Sequence, residues 1–188
     1  MLDFKEKAEG FSEKIFNCEV EDSLVFGIDA PWGSGKSSFV NLCKEYLEKN
    51  HKDKIIFYKF NPVRFEKDSN ILEKFIDGLV KEIKKNVFIP EIKPLFSKYS
   101  RFIKKISESL FSKFTGINVE LESYTVDDAF EDLNNLLAVS LKRKVVVVFD
   151  DLDRLDYDSI REILIVMKKS FMLANISYVI CYDTENIN

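Results

Sequence analysis

The sequence predicts an α/β fold in which helices pack on both faces of a parallel β-sheet. Two observations support this prediction. Short apolar runs of strand length alternate along the chain with longer stretches whose apolar residues recur at helical spacing. The run Val145–Phe149 contains no polar side chain and is rich in β-branched residues, which is typical of a central parallel strand. With 188 residues, 46% of them hydrophobic, residues 1–188 are expected to form one domain with a substantial core.

The first half of the chain predicts a helix, a strand, a second helix and a second strand. Residues 3–17 carry apolar side chains along one side of a helix. The apolar run within 23–29 predicts a strand, and the glycine-rich segment after it leads into a helix that reaches about residue 49. The apolar run 55–60 predicts another strand, which ends before Pro62 because proline disfavours regular structure there.

The second half continues this alternation. An apolar stripe at helical spacing predicts a helix from about 70 to 86. Another helix is expected after Thr125, where Thr followed three residues later by Asp resembles a capping box. A strand at 144–150, a helix at about 157–173 and a strand at 176–182 complete the prediction.

The glycine-rich segment after the first strand fits a phosphate-binding loop. Residues 30–37 match the pattern [AG]-x-x-x-x-G-K-[ST], with alanine in the first glycine position. The N–H groups of such a loop and of the following helix N-terminus face the phosphates of a nucleoside triphosphate. Lys36 is predicted to act on the β- and γ-phosphates during catalysis, and the Ser37 hydroxyl to bind Mg²⁺. The predicted nucleotide contacts are Ala30, Pro31, Trp32, Gly33, Ser34, Gly35, Lys36, Ser37 and Ser38.

Two adjacent carboxylates follow the most apolar stretch of the chain. Asp150 and Asp151 stand at the carboxyl end of the predicted strand 144–150. This position fits a Walker B motif, in which Asp150 holds Mg²⁺ directly or through water. Asp151 is predicted to orient the water that attacks the γ-phosphate. Taken alone, the pair is equally consistent with a polar turn after a core strand, so the phosphate-binding loop decides in favour of the nucleotide interpretation.

Polar residues beyond these motifs each have two interpretations. Asp183 follows the last predicted strand and is predicted to be a catalytic sensor of the γ-phosphate, with a helix-capping turn residue as the alternative. Asp153 and Arg154 are either functional or form a local ion pair at a helix start. Arg154 and Arg161 are the only arginines after the acidic pair, and neither is an obvious arginine finger.

Four segments of the sequence together resemble the KAP family of P-loop NTPases. The resemblance extends from about residue 4 to 183 and is poor at 84–121. It implies an ATPase with an additional-strand core of strand order 5-1-4-3-2, and members of the family are often membrane-associated or act in signalling or phage defence. Ala30 stands where the family often has Gly, and Val63 where it often has Trp, so the role of that aromatic does not carry over. The segments are Phe26–Ser37, Phe60–Phe65, Phe149–Arg154 and Tyr178–Asp183.

The chain ends soon after the last predicted strand. Because a fifth strand and a helical lid normally follow in ATPases of this kind, the resemblance implies an N-terminal part of a longer protein, or half of a split module, that contains both Walker motifs. Turnover by the chain alone is then expected to be slow or absent.

A basic helical insertion is expected between the two motifs, at about 84–121. The stretch 81–113 contains nine Lys or Arg and three Glu residues, and its apolar residues recur at helical spacing. Three interpretations stay open. The helix packs on the core and turns its basic face towards the acidic segment 120–132, or it lies on a membrane surface, or it binds a protein or nucleic-acid partner. Its apolar length is too short to span a membrane.

The predicted function is ATP hydrolysis with Mg²⁺, coupled to a conformational or assembly signal that can include a homo-oligomer. The alternatives are a non-hydrolysing nucleotide-binding scaffold that uses the basic helix, and a small-molecule kinase-like phosphotransferase. A net charge of −4 makes nucleic acid the less favoured partner. The three cysteines lack metal or disulfide spacing and the N-terminus lacks a signal-peptide pattern, so a cytoplasmic location is expected, with peripheral attachment to the inner membrane face as an extension.

Overall fold

The computed structural model is an α/β structure built on one four-stranded sheet. It describes residues 2–18, 24–65, 71–101, 126–156, 159–160, 164 and 173–185. The fold class predicted from the sequence is confirmed.

All four strands of the sheet are parallel. They are β1 (Val25–Asp29), β2 (Ile55–Phe60), β3 (Lys144–Phe149) and β4 (Ile176–Tyr182), in the spatial order β1-β4-β3-β2. This order agrees with the 1-4-3-2 part of the expected arrangement. Every residue of β3 is buried because the strand is central and covered on both faces, as its unbroken apolar run predicts.

Five helices that accompany the sheet are described over continuous stretches. They are α1 (Leu2–Asn17), α2 (Lys36–Asn50), α3 (Ile71–Asn86), α4 (residues 92–101) and α5 (Val126–Ser140). Short 3₁₀ turns follow β2 and β3, at Pro62–Phe65 and Leu152–Arg154. The predicted bounds of the strands and of the first helices agree with these to within about two residues. Most of the helix predicted at 157–173 lies outside the described residues, although 159, 160 and 164 are helical.

Alternate residues of β3 face two separate cores. Val146 and Val148 pack with Val40 and Leu47 of α2 and with Ile15 of α1. Val145, Val147 and Phe149 face a larger core on the opposite side of the sheet, which is filled by α3, α4 and α5. The period-two alternation of a strand therefore determines which helices each side chain of β3 contacts.

The described part of the basic insertion packs on the larger core. Phe96 and Tyr99 of α4 are both 1% exposed, and Lys98 lies 3.8 Å from Asp132 of α5. For these residues the structure shows a helix that packs on the core, with one basic side chain near one acidic side chain of α5, and the three interpretations of the whole insertion stay predictions. Residues 102–125, which contain the rest of the predicted apolar stripe, lie outside the described residues. Within the described part of the chain no helix is both long and apolar enough to cross a membrane.

Helix α3 crosses β2 at a glycine. A Cβ atom on Gly78 would lie 2.1 Å from the Tyr58 hydroxyl oxygen, so only glycine allows this approach. The Tyr58 hydroxyl donates to the carbonyl of Phe75 at 3.2 Å. The ring is therefore held across the helix backbone.

The amino ends of the strands carry two polar clusters. Lys144, at the start of β3, donates to the carbonyl oxygens of Ile15, Phe16 and Cys18 and so caps the C-terminus of α1. His51 stacks on Phe16 with ring centroids 3.7 Å apart, and its Nε2 lies 2.9 Å from Glu13 Oε1. Contacts with α1 therefore cover the His51 ring, although the residue lies in a polar turn of the sequence.

Candidate nucleotide-binding site

The carboxyl edge of the sheet brings the predicted site residues together. The loop after β1 and the segments that follow β2, β3 and β4 all lie at this edge, because the strands are parallel. Ligands of open parallel sheets bind at this edge.

The loop between β1 and α2 is shaped by two glycines. Gly33 and Gly35 have φ angles of 81° and 94°, in the left-handed region that side chains disfavour. Helix α2 begins at Lys36 directly after this bend. Because its N-cap residue is Gly35, no N-cap side chain accepts a hydrogen bond from the first turn. The bend therefore directs the N-terminus of α2 towards the loop, where N–H groups and the helix dipole favour an anion.

Lys36 folds back across the loop. Its Nζ donates to the carbonyl of Ala30 at 2.6 Å and lies 3.4 Å from that of Pro31. The ammonium group is thus held against the loop, and its contact with phosphate stays a prediction.

Ser37 and Asp150 meet across the gap between α2 and β3. The Ser37 hydroxyl donates to Asp150 Oδ2 at 2.8 Å. The Asp150 side chain is only 2% exposed, and its other oxygen, Oδ1, is buried without a hydrogen-bond partner among the described residues. A hydroxyl beside a buried carboxylate with a free oxygen fits the hard oxygen ligands that Mg²⁺ prefers.

A lysine of β2 that the sequence reasoning missed completes this cluster. Lys59 Nζ lies 2.7 Å from Asp150 Oδ2, the oxygen that also accepts from Ser37. The signal for it in the sequence is a single basic residue in the otherwise uncharged strand Ile55–Phe60. Asp150 therefore has a cation beside it as well as a hydroxyl.

Asp151 is held on both sides. Its φ of 61° is left-handed, a conformation that Asp tolerates better than most residues. Asn61, at the end of β2, donates from Nδ2 to Asp151 Oδ2 at 3.0 Å. Arg154 Nε lies 3.4 Å from Asp151 Oδ1. Arg154 thus pairs with Asp151, and Asn61, to which the sequence assigned no role, fixes the carboxylate at the end of the adjacent strand.

Asp183 contacts the loop after β1. The backbone N–H groups of Trp32 and Glu185 donate to its two oxygens at 2.9 and 3.1 Å. Asp29 at the end of β1 in turn accepts hydrogen bonds from the backbone N–H and the hydroxyl of Thr184, which follows β4. These hydrogen bonds from Thr184 lower the pKa of Asp29. The sensor role of Asp183 stays a prediction, and the observed contacts describe an anchor between the loop and the end of β4.

A cavity of about 210 Å³ lies in front of these groups. The predicted residues that line it belong to the loop, the start of α2 and the acidic pair, and Arg154 joins them. Asp150 and Asp183 lie behind this lining. The lining residues are Trp32, Gly33, Gly35, Lys36, Ser37, Ser38, Asp151 and Arg154.

Other metal and thiol chemistry finds no support in the part of the chain that the structure describes. That part contains no group of three or more His, Cys, Asp or Glu side chains arranged to hold a metal ion. Cys43 and Cys181 are free and buried, and burial raises the pKa of Cys43 to about 11 and that of Cys181 to about 12. Both therefore remain neutral thiols at neutral pH.

Comparisons with known proteins show the family to which the chain belongs. The model of the KAP family P-loop domain matches residues 4–188. A similar protein is the phage T7 exclusion protein of Escherichia coli strain K12, which is 25% identical over 212 residues. The match covers 96% of this chain and 28% of that protein, so the chain spans little more than a quarter of its relative's length.

Proposed function

The chain belongs to the KAP family of P-loop domains, and on that premise we propose that it binds ATP with Mg²⁺ and hydrolyses the γ-phosphate. One observation carries the proposal. The Ser37 hydroxyl donates to Asp150 Oδ2 at 2.8 Å directly beside Lys36, at the mouth of a glycine-bent loop. This arrangement supports the proposal, because a lysine suited to phosphate and two oxygen ligands suited to Mg²⁺ lie at the sheet edge where ligands of parallel sheets bind.

Each part of the site has a distinct task in this proposal. The loop N–H groups and Lys36 bind the phosphates, while Ser37 and Asp150 are the residues that would hold Mg²⁺. The metal, when bound, neutralises charge on the phosphate oxygens. Asp151 orients the attacking water, and Asn61 keeps the carboxylate of Asp151 pointing in one direction.

The test compares the wild type with Lys36→Ala in ATP binding and in phosphate release. We expect ATP affinity to fall at least about tenfold, because a charge-assisted hydrogen bond contributes about 1.5–3 kcal/mol. The matched control is Lys44→Ala, which removes an exposed lysine of the same helix, 3.7 Å from Glu48. Binding by the variant at the affinity of the wild type would contradict the proposal.

The same assay separates the two alternative functions. Binding without phosphate release, with or without Asp151→Asn, would favour a non-hydrolysing scaffold. Phosphate transfer to an acceptor other than water would favour a kinase-like phosphotransferase. Hydrolysis that Asp151→Asn abolishes while ATP binding remains is the result that the proposal expects.

We further propose that this nucleotide switch serves phage exclusion. The support is the similarity to the phage T7 exclusion protein, which covers almost the whole of this chain. The test measures the plaque-forming efficiency of phage T7 on a bacterial host that expresses this protein. Lys36→Ala should restore plaque formation and Lys44→Ala should not, whereas exclusion that is unaffected by Lys36→Ala would overturn the link to nucleotide.

A further inference from the structure

We propose that Arg154 senses the γ-phosphate by exchanging partners: when ATP binds, its guanidinium leaves Asp151 and contacts that phosphate. The exchange brings positive charge to the phosphate and releases one oxygen of Asp151 for the attacking water. The inference rests on the proposed ATP hydrolysis and assigns a further residue to it.

The turn after β3 places Arg154 at the cavity. The left-handed backbone of Asp151 begins the 3₁₀ turn Leu152–Arg154, which brings Arg154 back to the site. Its side chain lines the same 210 Å³ cavity as Lys36 and Ser37. A triphosphate that enters this cavity therefore meets two cationic side chains, one from the loop and one from the turn.

The ion pair of Arg154 with Asp151 is easy to exchange. Its Nε–Oδ1 distance is 3.4 Å, and the Arg154 side chain is 47% exposed. Exposed ion pairs of this kind contribute little to stability, because water screens the charges. A guanidinium binds a phosphate through two parallel hydrogen bonds, which are shorter and stronger. The phosphate is thus the better partner once it is present.

Asp151 becomes competent when Arg154 leaves. At present Asn61 donates to Oδ2 and Arg154 lies beside Oδ1, so neither oxygen is free of a cation or donor. Departure of Arg154 frees Oδ1, while Asn61 keeps Oδ2 in place. The freed oxygen can then accept a hydrogen bond from the attacking water.

The step balances without a further reactant. The water oxygen forms a bond to Pγ as the bond from Pγ to the β,γ-bridging oxygen breaks, and that oxygen leaves with the electron pair as part of ADP. The proton of the water passes to Asp151 Oδ1 and then to phosphate or solvent. The products are ADP and inorganic phosphate.

Trp32 provides a direct signal for this movement. The Arg154 guanidinium carbon lies 5.6 Å from the centre of the Trp32 ring, so the two form a cation–π pair. Trp32 is 67% exposed and is the single tryptophan of the chain. Its fluorescence therefore reports a change at Arg154 with no background from other tryptophans.

The experiment measures the binding of MgADP and of Mg²⁺ with the non-hydrolysable analogue AMP-PNP, by calorimetry and by Trp32 fluorescence. We expect Arg154→Ala to weaken AMP-PNP binding about ten- to a hundredfold, the size of a lost charge-assisted contact, and ADP binding about threefold or less. The fluorescence difference between the two complexes should disappear. Arg154→Lys should recover part of the affinity, because a point charge keeps attraction without the two-pronged geometry.

The control is Arg143→Ala, at the opposite edge of the sheet, where the arginine contacts Asn86 at 3.3 Å. It should leave both affinities and the fluorescence difference unchanged. If Arg154→Ala keeps the wild-type ratio of the two affinities and the same fluorescence difference, this inference fails while the proposed ATP binding stands. If the wild type binds neither nucleotide, the proposed function itself fails, and this inference with it.

A second variant tests the exchange itself. Asp151→Asn removes the charge that holds Arg154 and should tighten AMP-PNP binding about two- to fivefold, the size of an exposed ion pair. In the Arg154→Ala background the same substitution should have no effect, since there is no guanidinium left to release. Equal effects in both backgrounds would show that Asp151 does not compete with the phosphate for Arg154.

Discussion

The two ends of β3 carry buried charged side chains that differ in how fully they are hydrogen-bonded. At the amino end, Lys144 is 8% exposed and donates to three carbonyl oxygens at the end of α1. At the carboxyl end, Asp150 receives Ser37 and Lys59 on the same oxygen, and its other oxygen is buried without a partner among the described residues.

This difference separates structural charge from functional charge. A buried polar atom without a hydrogen bond costs about 1–3 kcal/mol, so folding alone favours saturation of the kind that Lys144 shows. Asp150 keeps one oxygen without a hydrogen bond to any described residue at the place where the proposed Mg²⁺ would bind. We infer that the amino edge of the sheet is optimised for stability and the carboxyl edge for binding.

The largest effect is expected from a substitution that changes only the carboxyl end of β3. Asp150→Asn should reduce Mg²⁺-dependent phosphate release at least about a hundredfold, because charge stabilisation by a bound metal contributes several kcal/mol. Its unfolding free energy should change by less than about 1 kcal/mol, because the amide oxygen can still accept from Ser37 and the partly exposed Lys59 can turn to water. Phosphate release and urea denaturation of the same preparation measure the two effects. A variant that hydrolyses ATP normally but unfolds easily would reverse the assignment of this end.

The second prediction concerns a substitution that changes only the amino end of β3. Lys144→Met should lower the unfolding free energy by about 3 kcal/mol, because it leaves three carbonyl oxygens of the α1 terminus without their donor. The folded variant should bind ATP with unchanged affinity, since the site is at the opposite edge. The exposed neighbour Lys142→Met is the control and should behave as the wild type in urea denaturation. Loss of ATP affinity without loss of stability would contradict the comparison.

The two residues Tyr58 and Lys59 of β2 sharpen the comparison within one strand, because they face opposite sides of the sheet. Lys59 faces α2 and the site, whereas Tyr58 packs over Gly78 of α3. Gly78→Ala should destabilise the chain by about 1–3 kcal/mol through overpacking, although the same change in an open helix would stabilise it by about 1 kcal/mol. Thermal unfolding measures the sign.

The expected destabilisation by Gly78→Ala comes from one contact with Tyr58, so a substitution of Tyr58 tests it. Tyr58→Phe removes the hydroxyl oxygen that a new Cβ would meet at 2.1 Å, and should recover part of the loss in the Gly78→Ala background. Gly10→Ala, on the exposed side of α1, is the control, because a Cβ there meets no atom within 4 Å and should stabilise the helix. ATP affinity should stay the same in all of these variants. Stabilisation by Gly78→Ala would mean that the Tyr58 ring moves without cost.

The sequence predicted elements and motifs well, because both depend on local periodicity. The apolar run of β3 and the glycine-rich loop can each be recognised from a few consecutive residues. In a parallel sheet, both then lie at the same edge, where Ser37 and Asp150 approach each other. The roles assigned to Asp151 and Asp183 stay predictions, but both side chains do lie at this edge.

Pairings between distant segments could not be predicted in the same way. Lys59, for instance, belongs to an apolar pattern that indicates a strand but not which atom its ammonium reaches. His51 lies among charged residues in the sequence, and only the packing of α1 against α2 covers its ring. Such contacts depend on the relative position of elements, which a local pattern does not contain.

The smallest expected effect concerns the second polar cluster of the amino edge. Glu13 Oε1 accepts from Tyr46 and contacts His51, and the hydrogen bond to His51, followed by that from Tyr46, lowers the pKa of Glu13 below its ordinary 4.5. A carboxylate whose pKa is lower in the folded state stabilises the fold above the unfolded value and loses that contribution as pH falls through the folded one. The wild type should therefore exceed Glu13→Gln in unfolding free energy by less than about 1 kcal/mol at pH 7, because the pair is partly exposed.

The urea midpoints of the two proteins should converge as the pH falls below about 4.5, the ordinary pKa of Glu. The control is Glu48→Gln, whose partner Lys44 is an exposed neighbour on the same helix. Its midpoint difference from the wild type should be close to zero at both pH values. A difference at Glu13 that persisted below pH 4 would mean that the cluster stabilises through packing of the His51 ring on Phe16, and that charge contributes nothing at this edge. That result would leave Lys144 as the single structural charge in the comparison, since its three acceptors are uncharged carbonyls and do not titrate.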